Sequence, residues 1–188
     1  MRLIDALRKR RSVTRYSHKK PDWRKILRAI DYARFIPSAG NIYAIKFILV
    51  SDKEKIKKIT EATQQPFVGK AHFIVVVTSD PRKLQRPYGE RGKKYMCLQS
   101  GVAIGNFMAA LVEFGLATKW VRFFYEDKIK RVLSIPEEIS IDGIFPIGIE
   151  TKLKTQAEVF PLLENIIFFD KWEQKEMTLK ARVLEESL

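Results

Sequence analysis

The chain has 188 residues, 46% of them hydrophobic, enough to bury one sizeable core and too few to expect two independent domains. A single cysteine, Cys97, excludes an intrachain disulfide framework and a cysteine zinc cluster, and a formal net charge of +13 points to anionic partners without choosing among them. No apolar run reaches the roughly 18 to 20 residues of a membrane span, and the basic first ten residues lack the apolar region of a signal peptide, so a cytoplasmic protein without a membrane partner is expected.

In chain order, Leu3, Ile4, Ala6 and Leu7 predict a short helix that ends at Arg10 and Arg11. Pro21 and Asp22 read as the start of a second helix, with Trp23, Ile26, Leu27, Ile30 and Ala33 at helical spacing. It should stop before Pro37, because the residue ahead of a proline avoids the helical region. Residues 38–41 are then a loop. Residues 47–50 and 72–78 are β-rich runs suited to a buried sheet, with a charged helix over residues 52–62 between them. Residues 95–114 carry the longest apolar helical pattern, and Gly115 is its natural stop. Gly101 and Gly105 inside that helix each weaken it by roughly 1 kcal/mol relative to alanine, so they mark tight core packing or the close approach of another backbone or a ligand. Cys97, in the same helix, reads as a small buried hydrophobe. A strand over residues 119–123, a helix over 126–133 and a strand over 143–149 complete an α+β pattern, and residues 1–170 form one domain. Residues 171–188 are a charged extension suited to wrapping a partner subunit.

The positive charge is uneven. Residues 1–28 hold eleven lysines and arginines against Asp5 and Asp22, and a second basic cluster runs through Arg82, Lys83, Arg86, Arg91, Lys93 and Lys94. Such a field attracts phosphate-bearing cofactors and, equally, nucleic acid without sequence preference. His18 and His72 lack acidic partners at metal-ligand spacing, so both read as ordinary surface or packing residues and no metal is expected. No glycine-rich dinucleotide or phosphate loop follows a strand, so a nicotinamide cofactor would have no Rossmann site of its own.

Two short segments carry the most chemistry. Arg10, Arg11, Ser12, Thr14 and Arg15 offer charged forks and hydroxyls for phosphate and ribityl oxygens. Pro37, Ser38, Ala39, Gly40 and Asn41 form a turn small enough for backbone amides to approach a flat ring. Their order and distance from the start of the chain resemble the FMN-dependent nitroreductase family. The resemblance continues through Gln65-Pro66-Phe67-Val68, residues 101–121, Leu133-Ser134-Ile135-Pro136-Glu137 and Phe145-Pro146-Ile147-Gly148, covering roughly residues 3–170.

The resemblance implies an α+β, nitroreductase-like fold, with a central mixed, largely antiparallel sheet flanked by helices, in an intertwined homodimer with two flavins at its interface. It implies bound FMN, with NAD(P)H as transient donor. A hydride would pass through flavin N5 to a nitroaromatic, quinone or similar acceptor in a ping-pong cycle. By family analogy Arg10, Arg11 and Ser12 meet the phosphate, ribityl and N1/O2 side, while residues 37–41 line the ring. Gln65 contacts the ring or ribityl chain, and Val121, Arg122 and Phe123 lie near N5. The chain departs from the family pattern at Thr14, a commonly basic site, with Arg15 next to it, at Tyr43-Ala44-Ile45, at Gln99 and at Ala117. Lys152 and Lys154 stand where a late arginine is usual and would meet the phosphate as point charges. No general acid can be named, so the catalytic residues are unassigned. One alternative keeps fold and flavin but performs reductive dehalogenation or oxidative flavin chemistry, with substrate selection in Tyr43-Ala44-Ile45-Lys46 and residues 80–95. A weaker one is a basic nucleic-acid-binding module without catalysis, for which no recognisable motif is present.

Overall fold

The computed structural model describes residues 2–151 and 159–177. The chain divides into two compact units between residues 156 and 157. The first contains α1 (Leu3–Lys9), α2 (Trp23–Ala33), β1 (Ile45–Val50), α3 (Lys53–Thr63), β2 (Phe73–Ser79), α4 (Arg82–Tyr88), α5 (Arg91–Glu113), β3 (Ala117–Thr118), α6 (Glu126–Leu133) and β4 (Ser140–Gly148). In the second, a 3-10 turn over Leu163–Asn165 is followed by an edge-to-face pair of Phe168 and Trp172.

The four strands form one antiparallel sheet in the order β1-β2-β4-β3. Alternation along β2 explains its unbroken apolar run, because both faces of the sheet are covered. Phe73, Val75 and Val77 pack with Phe145 and Ile147 against Ile26, Ala29 and Ala33 of α2 and Phe107 and Leu111 of α5. Ile74, Val76 and Ile144 pack on the other face against Ile56, Ile59 and Ala62 of α3 and Ile129 of α6. Each such side chain, buried completely, stabilises the fold by roughly 1.5–3 kcal/mol relative to exposure.

Local signals set the element ends. Asp22 and Asp52 cap α2 and α3, their carboxylates accepting from Arg24 N at 3.0 Å and Lys55 N at 2.8 Å. Gly115, at φ +71°, closes the turn after α5. Helix α4 was not expected from sequence. It runs into α5, which begins at Arg91 rather than residue 95, and Gly92 fits against the Leu84 carbonyl group where no Cβ could. At 23 residues α5 meets the length and composition of a membrane span, contrary to the sequence expectation, but half of its apolar window is buried inside the protein.

The expected strand over residues 119–123 is reduced to Ala117–Thr118 and an isolated bridge between Val121 and Ile144. The pairing register is the same on both sides of the gap, and Pro146 lies opposite Lys119 within it. A proline has no amide hydrogen to give to the ladder. The Pro146 carbonyl instead accepts from Thr118 Oγ1 at 2.9 Å and Tyr16 Oη at 3.1 Å.

Candidate flavin site

The arginine segment leaves α1 at Arg10, which caps it in an extended conformation. From there the chain runs along the sheet edge. Ser12 bridges Thr118 in parallel, Val13 N donates to Thr118 O at 3.0 Å, and Tyr16 bridges Glu150. Val13 is buried while Ser12 and Arg15 remain exposed. Tyr16 anchors the segment: its ring lies on Gly148, where a Cβ would come within 2.6 Å of it. Burial pushes the Tyr16 phenol pKa well up, and its hydroxyl stays neutral to donate to the Val13 carbonyl at 2.8 Å. Arg11 turns back onto Glu150, with Nη2 to Oε2 at 2.6 Å and Nε to Oε1 at 3.1 Å, a pairing that raises the guanidinium pKa. Beyond it, Thr151 N donates to Arg15 O at 3.3 Å, and the buried hydroxyls of Ser17 and Thr151 have no hydrogen-bond partner among the described residues.

Gln65 continues the same surface. It follows Gln64, which closes α3 in the left-handed conformation at φ +54°. Gln65 Nε2 donates to Phe123 O at 3.4 Å, and Lys119 Nζ sits 5.1 Å from the centroid of Phe67. Three contacts therefore lie along this stretch: Ser12 with Thr118, Lys119 with Phe67, and Gln65 with Phe123. Val121 is different: its side chain is buried in the core and its amide and carbonyl both bond to Ile144. Arg122 and the 68%-exposed Phe123 are the members of that segment that face outward.

Residues 37–41 have other neighbours. Gly40 and Asn41 are left-handed, at φ +58° and +56°, and the tight turn is closed by Asn41 N donating to Ser38 O at 3.2 Å. A Cβ on Gly40 would lie 2.5 Å from Tyr88 Oη, so α4 closes directly over the glycine. Gln99 of α5, oriented with its oxygen toward the loop, accepts from Ala39 N at 2.8 Å and donates to Ile42 O at 3.3 Å. Sequence reasoning did not select Gln99 or Tyr88 as loop supports, although a buried polar residue in the apolar pattern of α5 was a usable signal. Lys119 was likewise not selected. Lys152 and Lys154 lie outside the described residues.

A second exposed feature lies on α5. Leu98, Gly101, Val102 and Gly105 recur at helical spacing, and a Cβ on either glycine would meet nothing within 4 Å. Leu98 is 58% and Val102 43% exposed, and Cys97 is also exposed rather than buried as expected. Among the described residues nothing packs against these glycines, which counts against the core-packing explanation.

The residues present fit a flavin mononucleotide. Arg10 and Arg15 supply charge, and Ser12 and Thr14 supply short polar groups on the segment that follows α1. Gln65 supplies an amide beside exposed aromatic surface, and residues 37–41 supply small, exposed main chain. Among the described residues no cluster of His, Cys, Asp or Glu could hold a metal ion.

Comparison with known proteins identifies the family. The model of the nitroreductase family matches residues 7–65 and 60–149. An Archaeoglobus fulgidus protein named as an NADH dehydrogenase/NAD(P)H nitroreductase is 31% identical over 148 residues, 74% of this chain and 80% of the relative. A nitroreductase family protein from Clostridium difficile superposes with a TM-score of 0.78 at 26% identity, over 92% of this chain and 100% of the other. Oxidized iodotyrosine deiodinase, solved with FMN and 3-iodo-L-tyrosine, shares the fold with a TM-score of 0.75 at 18% identity, over 86% of this chain and 97% of the other. With the family model spanning the whole sheet, the chain belongs to the nitroreductase family.

Proposed function

We propose that this protein is an FMN-dependent NAD(P)H oxidoreductase that acts as a homodimer. The observation that supports the reading most is the seating of the arginine segment on the sheet edge, where Ser12 pairs with Thr118 next to Lys119, whose ammonium lies on Phe67, two residues from Gln65. Bound FMN supplies hydride acceptance at N5 from NAD(P)H and subsequent two-electron reduction of a nitroaromatic, quinone or similar acceptor, in a ping-pong cycle.

The chain's own residues hold and bias that group. Arg10 and Arg15 bind the phosphate, with Lys152 and Lys154 adding point charges, while Arg11 is oriented by Glu150 and stiffens the segment. Gln65 and Ser12 fix the ribityl and ring edge through hydrogen bonds. Lys119, whose ammonium lies over Phe67, places positive charge where a reduced ring accumulates negative charge. Residues 37–41 would approach the ring as a small tight turn, and the exposed Phe123 would cover one ring face.

The arginine strip and the 37–41 loop are carried by different elements of the chain, and α5 leaves Leu98, Gly101, Val102 and Gly105 uncovered. In the dimer, two α5 helices pack through this small-residue face and the loop of one subunit completes the strip of its partner. The charged extension expected to contact the partner covers residues 171–188, of which 178–188 lie outside the described residues.

An absorption spectrum of the purified protein, recorded before and after anaerobic NADH and NADPH, tests the reading. The expected result is a flavin spectrum that one or both donors bleach and a nitroaromatic restores; absence of flavin uptake after FMN addition would sink it. The likeness to iodotyrosine deiodinase supports a second reading with the same flavin and a halogenated phenol as acceptor. Restoration of the spectrum by 3-iodo-L-tyrosine with release of iodide, and not by nitroaromatics, would favour it over the first.

A further inference from the structure

The buried face of α5 is apolar except at two adjacent residues, Gln99 and Ser100. Its neighbours on that face include Met96, Ala103, Ile104 and Phe107, so a leucine or methionine at position 99 would continue the stripe without taking an amide out of water. Gln99 is 4% exposed, and both ends of its carboxamide go to the main chain around residues 39–42. With its oxygen toward Ala39, it accepts from Ala39 N at 2.8 Å and donates to Ile42 O at 3.3 Å. Ser100 has a different partner: its Oγ donates to Asp142 Oδ2 at 2.7 Å.

The two Gln99 bonds bracket a turn that needs outside support. Asn41 N donates to Ser38 O at 3.2 Å and Ile42 N to Ala39 O at 3.1 Å, a single turn with two consecutive left-handed residues, one of them not glycine. Such backbone persists only where its surroundings over-determine it. Gln99 supplies that from one side, at the first and last residues of the turn, and Tyr88 Oη closes on Gly40 from another. Met96, one turn before Gln99, shares an apolar cluster with Ala39, Ile42 and Tyr88, so the carboxamide bonds in surroundings shielded from water, where such bonds are stronger.

We propose that Gln99 is a positioning residue for the flavin: it holds residues 39–42 in the conformation that meets the ring, so that FMN binds a turn already formed. The proposal rests on the flavin reading above, in which residues 37–41 line the ring. Gln99 acts through the main chain of Ala39 and Ile42 rather than by contact with the ring. A loop ordered in advance raises affinity because its ordering no longer opposes binding. Methionine at position 99 would fill the same apolar space but offers only a weak acceptor, so Gln99→Met releases the turn while the helix face stays packed.

Amide hydrogen exchange and FMN titration of the parent protein, Gln99→Met and Ser100→Ala test it. In Gln99→Met the Ala39 amide should exchange about tenfold or more faster, while the Phe107 and Leu111 amides of the same helix keep their protection. FMN should bind that variant about tenfold or more weakly, and at saturating FMN the visible circular dichroism of the bound flavin should differ from that of the parent. Ser100→Ala breaks the neighbouring buried bond and no bond to the turn. It should match the parent in Ala39 exchange, FMN affinity and flavin dichroism, which a general loosening of α5 would not allow. Unchanged Ala39 exchange in Gln99→Met would overturn the proposal, as would equal losses of FMN affinity in the two variants. Faster Ala39 exchange with FMN affinity and dichroism unchanged would overturn the positioning role and leave the flavin reading standing. No FMN uptake by the parent would overturn that reading and this role with it, while Ala39 exchange would still report the two hydrogen bonds.

Discussion

Asp142 shows how much a single residue can owe to tertiary structure. It is the extra residue of a β-bulge, where β2 and β4 shift register beyond Val77, and the bulge turns its carboxylate inward. Oδ1 accepts from Ser79 Oγ at 3.0 Å and Oδ2 from Ser100 Oγ at 2.7 Å, while the Asp142 carbonyl accepts from Trp120 Nε1 at 3.2 Å. Desolvation raises its pKa above the usual carboxylate value, outweighing the two hydroxyl bonds. The folded state therefore holds this proton more tightly than the unfolded chain, so the group's contribution is greatest at low pH and declines as pH rises through the raised value. Asp142→Asn keeps an oxygen and removes the charge, so denaturant titrations between about pH 4 and 8 should show the variant gaining on wild type as pH rises. Asp142→Ala leaves two serine hydroxyls without their acceptor and should lose roughly 1–3 kcal/mol. Next to it, Gly143 lies under Trp120, and a Cβ there would collide with the indole nitrogen. Gly143→Ala should lower stability by about 1–3 kcal/mol in the same titration, with reduced tryptophan fluorescence contrast on unfolding as a second check.

At the scale of elements, patterning and caps were readable and surfaces were not. Helical spacing in α2 and α6, the β-rich runs of β1 and β2 and the stop at Gly115 all form where the residues indicate. Asp52→Ala removes the α3 cap bond and should shift the denaturation midpoint by about 1 kcal/mol equivalent. The short β3 could not be foreseen from its own residues, because its interruption depends on Pro146 in another strand. Nor could the sequence tell which face of α5 is buried: its apolar residues run nearly all around, and only packing separates Phe107 and Leu111 from Leu98 and Val102. In the dimer proposed above, Val102→Glu places a charge on that open face. Light scattering should then find a particle at the 21.9 kDa chain mass, where the parent protein gives twice that value.

For the whole molecule, dimerisation and flavin binding are one event if the 37–41 loop completes the partner's arginine strip. Val102→Glu should consequently lose bound FMN along with its dimeric mass, whereas Arg10→Ala should remain dimeric and bind FMN about tenfold or more weakly. Flavin loss in the first variant without a change of mass would separate the two and refute the shared site. The sequence by itself determined the family, the α+β class and the helix boundaries set by proline, glycine and aspartate, because those signals act within a few residues of backbone. Tertiary structure alone decided that Arg11 is committed to Glu150, that Lys119 lies on Phe67 and Gln65 reaches Phe123, that Gln99 and Tyr88 contact the 37–41 loop, and that four lysines and His72 line one cleft. Each of these is a meeting of residues far apart in the chain, and only the packing of α2, α3 and α5 on one sheet brings them together.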